Sequence, residues 1–130
     1  MPDVETDLPQ PPDISLPRYP MKETDITIRV HLDENHVPEN IEWKADDGGG
    51  QGVGKAMLLS FWDAQELNTL RIDLWTKGMT TDEMKAFFHQ NILTLADTFE
   101  RATNEEKMAA QMRDFAAYFA EHMLPDLKKK

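Results

Sequence analysis

Hydrophobic residues recur at every second position up to Trp75, and at every third or fourth position from Met84 onward. A period of two fits a strand with one buried face, and a period near 3.6 fits an amphipathic helix. The pattern changes at Lys77-Gly78-Met79, so all strand signals precede all helix signals. That order points to an α+β chain in two layers.

Four strand signals come first. Ile26, Ile28, Val30 and Leu32 alternate with Thr27, Arg29, His31 and Asp33. After the turn-rich Asp33–Pro38, Ile41, Trp43 and Ala45 alternate with Glu42 and Lys44. Residues 46–54 (DDGGGQGVG) carry too much glycine for a regular element and read as a flexible hairpin loop, whose closure entropy grows slowly with length. Ala56–Trp62 is apolar on both parities, as in a central strand or one with a second covered face. Leu70, Ile72 and Leu74 then alternate with Arg71, Asp73 and Trp75. The short connectors favour an antiparallel meander, because parallel pairs need long crossovers.

Two helix signals follow. Thr80 and Glu83 have capping-box spacing, and Met84, Phe87, Phe88, Ile92, Leu95, Ala96 and Phe99 form one stripe. Thr103 and Glu106 repeat the capping spacing ahead of Met108, Met112, Phe115, Phe119 and Met123. These methionines and phenylalanines are expected to fill a core. Pro125 ends the second helix. A first helix of about 22 residues would be ~33 Å long against ~23 Å for a seven-residue strand, so it should overhang its sheet. The overhang points to a homodimer, with Leu93, off the main stripe, as its contact.

The expected fold is therefore a four-stranded antiparallel meander with two C-terminal helices packed on one face, a single domain over residues 23–124. Six of the eight prolines lie in the first 20 residues, which marks 1–22 as a disordered, extended tail. Residues 125–130 form a short basic tail. The net charge is −10. Four carboxylates against Arg18 and Lys22 leave −2 in the first tail, and Asp126 against three lysines leaves +2 in the last. The acidity thus belongs to the folded body. It argues against nucleic acid and against an anionic membrane surface as the main partner. The start lacks the basic and apolar regions of a secretory signal, and no window approaches the ~18 apolar residues of a membrane span. A cytoplasmic protein without membrane insertion is expected.

Chemistry-bearing patterns are few. Gly49 to Lys55 fits G-x-x-x-x-G-K, but Ala56 stands where the Mg²⁺-ligating hydroxyl belongs, and a strand rather than a helix follows. His31, Asp33, Glu34 and His36 lack the forced convergence of a metal site. His89 and His122 suit the polar boundary of a helix. The serines are Ser15 and Ser60, neither in a G-x-S-x-G elbow, and cysteine is absent. No catalytic residue, cofactor or metal is expected, and no enzymatic activity. Strand parity instead places Leu58, Ser60, Trp62, Arg71, Asp73 and Trp75 with Arg29, His31, Glu42 and Lys44 on the uncovered sheet face. Two tryptophans and a leucine among charges make Trp62, Trp75, Leu58, Arg71 and Asp73 a candidate protein-binding patch.

The runs Ser60–Asp63, Thr69–Lys77 (TLRIDLWTK) and Asp82–Gln90 (DEMKAFFHQ) resemble the gliding-motility protein GldC family. Ala96–Asn104, Asp114-Phe115 and Val30–Asn35 continue the likeness, which covers about residues 23–124. It implies a small accessory protein of bacterial gliding, coupled to the type IX secretion apparatus. No catalytic residues, activity or cofactor transfer with it. The expected function is a non-catalytic adaptor that binds a protein partner of that machinery. A chaperone-like acidic oligomer, similar in element order to the secretion chaperone SecB, is the alternative, by architecture alone.

Overall fold

A computed structural model describes residues 22–124. The tails expected at 1–22 and 125–130 lie outside the described residues, Lys22 excepted. The chain divides into two compact units, one ending at Gly78 and the other starting at Met79.

The first unit is all β. Its strands are β1 (Ile26–Leu32), β2 (Pro38–Ala45), β3 (Gly50–Gly54), β4 (Ala56–Asp63) and β5 (Asn68–Trp75). Every pairing is antiparallel. Five strands form where four were expected, and they split into a sheet of order β1-β2-β3 and a separate β4-β5 hairpin. The single four-stranded meander is thereby corrected. The reason is local. Only Lys55 separates β3 from β4, whereas a reversal needs at least two loop residues. The chain must run on from one sheet into the other.

Hydrogen bonds fasten this bend. Thr76 donates its N–H and its Oγ1 hydroxyl to the Lys55 carbonyl at 2.8 and 2.9 Å. The Lys77 N–H donates to the Pro38 carbonyl at 3.1 Å. The end of β5 thus meets both the bend and the start of β2. Thr76 is 3% exposed, and its hydroxyl is satisfied, as a buried hydroxyl must be.

The glycine-rich segment is the second correction. Residues 46–49 make the turn, and Gly50–Gly54 is a strand, with Trp43 opposite Gly52 and Ala45 opposite Gly50. A β-carbon on Gly52 would lie 2.9 Å from Trp43 Nε1 and 3.2 Å from its Cε2. Glycine costs strand propensity, but here it leaves the space in which the indole lies across the neighbouring strand. Ile28, Trp43 and Gly52 share one face with Val30, Ile41 and Gly54. Ile41 is its buried centre, 3% exposed.

The second unit is a helical hairpin, α1 (Thr81–Thr103) and α2 (Glu106–Met123). The Thr80–Glu83 capping box is complete. Glu83 N–H donates to Thr80 Oγ1, and Thr80 N–H donates to Glu83 Oε1, both at 3.0 Å. The second expected box is absent. Thr103 ends α1, where its hydroxyl donates to the Phe99 carbonyl at 2.8 Å and accepts the Glu105 N–H at 3.1 Å. Asn104 turns the chain with φ 62°, a left-handed conformation that asparagine tolerates. Ala96, Ala109 and Ala116 are fully buried, so small side chains line the seam between the helices. Met108, Phe115 and Met123, expected in the core, are exposed, while Met112 and Phe119 are half-buried. Arg113 bridges the helices, donating to Asp97 Oδ1 at 2.9 Å and Glu100 Oε1 at 2.7 Å.

Candidate protein-binding face

Residues directly opposite in an antiparallel pair point to the same face. In the β4-β5 hairpin the opposed pairs are Ala56–Trp75, Leu58–Asp73, Ser60–Arg71 and Trp62–Thr69. All five candidate residues, Leu58, Trp62, Arg71, Asp73 and Trp75, therefore share one face. Trp62 is 67% exposed, Trp75 59% and Leu58 39%. Trp62 lies six positions along β4 from Ala56, which pairs with Trp75, so the indoles stand ~20 Å apart along the strands. Between them Arg71 Nη2 donates to Asp73 Oδ2 at 2.8 Å. The pair is open to solvent and of small energetic worth. The remaining guanidinium donors of Arg71 stay available to a partner.

The intervening pairs form the opposite face: Met57–Leu74, Leu59–Ile72 and Phe61–Leu70. It is wholly apolar, and Phe61, Leu70 and Ile72 are each more than half exposed. The turn that holds the hairpin in register is built by Asp63. Its carboxylate accepts the Gln65 N–H at 2.9 Å and the Glu66 N–H at 2.8 Å. These bonds, that from Glu66 first, hold the Asp63 carboxyl below its ordinary pKa.

The first turn is made the same way and then charged. Asp33 Oδ1 accepts the Asn35 and Val37 N–H groups at 2.7 and 2.9 Å, and Oδ2 meets Lys77 Nζ at 2.7 Å. Lys77 also reaches Glu39 at 3.2 Å. The Lys77 ammonium, followed by the backbone N–H of Val37, lowers the Asp33 pKa, and the two carboxylates raise that of Lys77.

The other residues weighed from sequence fall elsewhere. His31 Nε2 stands 3.4 Å from Glu42 Oε1, both well exposed. His36 turns the chain at φ 64°. No group of three His, Asp or Glu side chains suited to a metal ion occurs among the described residues. The strand that occupies Gly50–Gly54 continues into β4 and meets no helix N-terminus, so it lacks the geometry of a phosphate loop. His89 stacks on Phe119 across the helical hairpin, ring centres 6.4 Å apart. His122 Nδ1 lies 2.9 Å from the Tyr118 carbonyl. Arg29, Glu42, Lys44 and Gln51 border an open depression of about 640 Å³ on the polar face of the three-stranded sheet. Strand parity did not single it out as a cavity, since that needs the β2-β3 pairing. An aromatic residue one turn before a glycine run was the available signal for Trp43 over Gly52.

Among the described residues no helix is long and apolar enough to cross a membrane. A family model described as "Gliding motility-associated protein GldC-like" matches residues 38–124. That span takes in the whole β4-β5 hairpin and both helices. No curated protein and no solved structure matches the chain.

Proposed function

The chain belongs to the GldC-like family of gliding motility-associated proteins, and from that premise we propose that it is a non-catalytic adaptor acting by protein–protein binding. The observation that carries this reading is the grouping of Trp62, Trp75, Leu58, Arg71 and Asp73 on one exposed hairpin face. Tryptophan and arginine dominate binding hot spots because they bury large areas and offer directed donors. The acidic body supports the same reading: it keeps the domain soluble and leaves specificity to a less charged patch. The partner is a protein of the gliding machinery, with the link running to type IX secretion, and the site of action is the cytoplasm. No cofactor is involved.

The test is a pull-down from gliding cells with the full chain and with the double variant Trp62→Ala/Trp75→Ala. Loss of the machinery component with unchanged far-UV circular dichroism supports the adaptor. Undiminished capture by the double variant removes the tryptophan face from the reading.

A second reading is a chaperone-like oligomer. It is favoured by the hairpin, which presents apolar side chains on both faces. Suppression of aggregation of an unfolded client would support it, and a monomer without that effect would remove it.

A further inference from the structure

We infer that, when no machinery partner is bound, the tryptophan-bearing hairpin face is covered by a second copy of this chain, related by a two-fold axis perpendicular to the strands. The inference rests on the reading of this face as a protein–protein surface, for which the second copy and the machinery partner then compete.

The geometry comes from the four rows of the face. In order along the hairpin they are Ala56–Trp75, Leu58–Asp73, Ser60–Arg71 and Trp62–Thr69. Sheets packed face to face keep their strands roughly aligned and lie ~10 Å apart. A two-fold axis lying between them and perpendicular to the strands sets the first row against the last and the second against the third. It keeps β4 over β4 and β5 over β5.

Every resulting contact is then complementary. Ala56 meets Trp62 of the second copy, and Trp75 meets Thr69. Leu58 meets Ser60. Asp73 meets Arg71, and by symmetry Arg71 meets Asp73. Each large side chain finds a small one and each charge its opposite, which is what an isologous interface demands. The other in-plane axis, parallel to the strands, fails this test. It would set Leu58 against Asp73 and Ser60 against Arg71, leaving both charges facing neutral groups. The face also has the right surplus. The hairpin is apolar on its reverse as well, so one covering layer cannot hide both sides. The charge pair fixes the register of the second.

The test uses the full-length chain and two reversals. Arg71→Asp makes both central positions acidic, and Asp73→Arg makes both basic. Each variant alone places like charges across the axis, and each should sediment at the 15.0 kDa of one chain where the parent sediments at twice that mass. An equimolar mixture of the two should regain the double mass, because acidic rows then face basic ones. Repair by mixing does not arise from a folding defect in either variant, and circular dichroism of each checks this directly.

A parent chain that stays monomeric at all concentrations overturns the inference. So does a dimer that persists in both single variants, since the contact then lies elsewhere. If the Trp62→Ala/Trp75→Ala variant loses its machinery partner while the parent is a monomer, the face binds a different protein. That outcome keeps the adaptor reading and discards self-association.

Discussion

The two sheets of the first unit solve the same problem differently. In β1-β2-β3 the alternation is one-sided. Ile28, Val30, Ile41 and Trp43 share one face, and Thr27, Arg29, Glu42 and Lys44 share the other. In β4-β5 the alternation fails, with Met57, Leu59, Phe61, Leu70, Ile72 and Leu74 on one face and Leu58, Trp62 and Trp75 on the other. A one-sided sheet needs one covering layer. A two-sided hairpin needs two, and an isolated two-stranded sheet is marginal in water at best. The contrast teaches that the first sheet sorts its apolar side chains to one face, whereas the hairpin leaves them on both.

The largest expected effect tests this division. Ile41→Ala removes a buried branched side chain from the three-stranded sheet and should destabilise the chain by about 2–4 kcal/mol in urea or thermal unfolding. Phe61→Ala on the hairpin deletes a larger side chain, yet one 55% exposed. Its cost in the monomer should be clearly smaller. If Phe61→Ala proves as costly as Ile41→Ala, the hairpin is as fully covered in solution as the first sheet, and the contrast collapses.

The next effect concerns the glycine strand. Gly52→Val would force the Trp43 indole off β3, and overpacking of this kind costs about 1–3 kcal/mol. Trp43 fluorescence is crowded by Trp62 and Trp75, so the measurement is the unfolding midpoint together with a Trp62→Phe/Trp75→Phe background for the emission maximum. A red shift of Trp43 with lost stability is expected. An unchanged midpoint would mean that the indole has another place to lie.

How far this was legible in the sequence follows from what period each feature has. Parity is strictly two along a strand, so Leu58 with Trp62, and Arg71 with Asp73 and Trp75, were readable as two groups, while their sharing of one face depends on the β4-β5 register. The existence and order of the other strands and of both helices were readable for the same reason. The β3 strand was not. Glycine is a breaker on local grounds, and only its pairing with Trp43 makes its lack of a side chain useful. The break between sheets depends on the single residue Lys55, and a one-residue gap is invisible where a nine-residue loop is expected. In α2 the stripe of methionines and phenylalanines was visible, but the seam is set by Ala109 and Ala116. Alanine's contribution is close approach, which hydrophobicity alone underrates. The Thr103 spacing misled because capping boxes are judged three residues ahead, while Asn104 had already turned the chain.

The smallest expected effect separates the two aspartate turns. Asp33 and Asp63 both accept two backbone N–H groups, and both pKa values lie below the ordinary 3.8. A depressed carboxyl pKa means that each turn is stabilised in full above the unfolded value and loses that stabilisation as pH falls through its folded value. Both turns should therefore loosen in acid, below about pH 4. Only the first depends on an ammonium group. Lys77 has its pKa raised above 10.5, so its contribution is complete below that value and is lost as pH rises through the folded one. The first turn should loosen at both ends of the pH scale and the second at the acid end alone. Because Lys77 is half exposed, salt should weaken the first turn and spare the second. Amide shifts of Asn35 and Val37 against Gln65 and Glu66, followed by NMR from acid to alkaline pH, make the comparison. Lys77→Gln should move the Asp33 titration up toward an ordinary carboxylate and leave Asp63 where it is. Equal movement of both would show that the turns are coupled through the bend at Lys55 and Thr76 rather than held separately by their own donors.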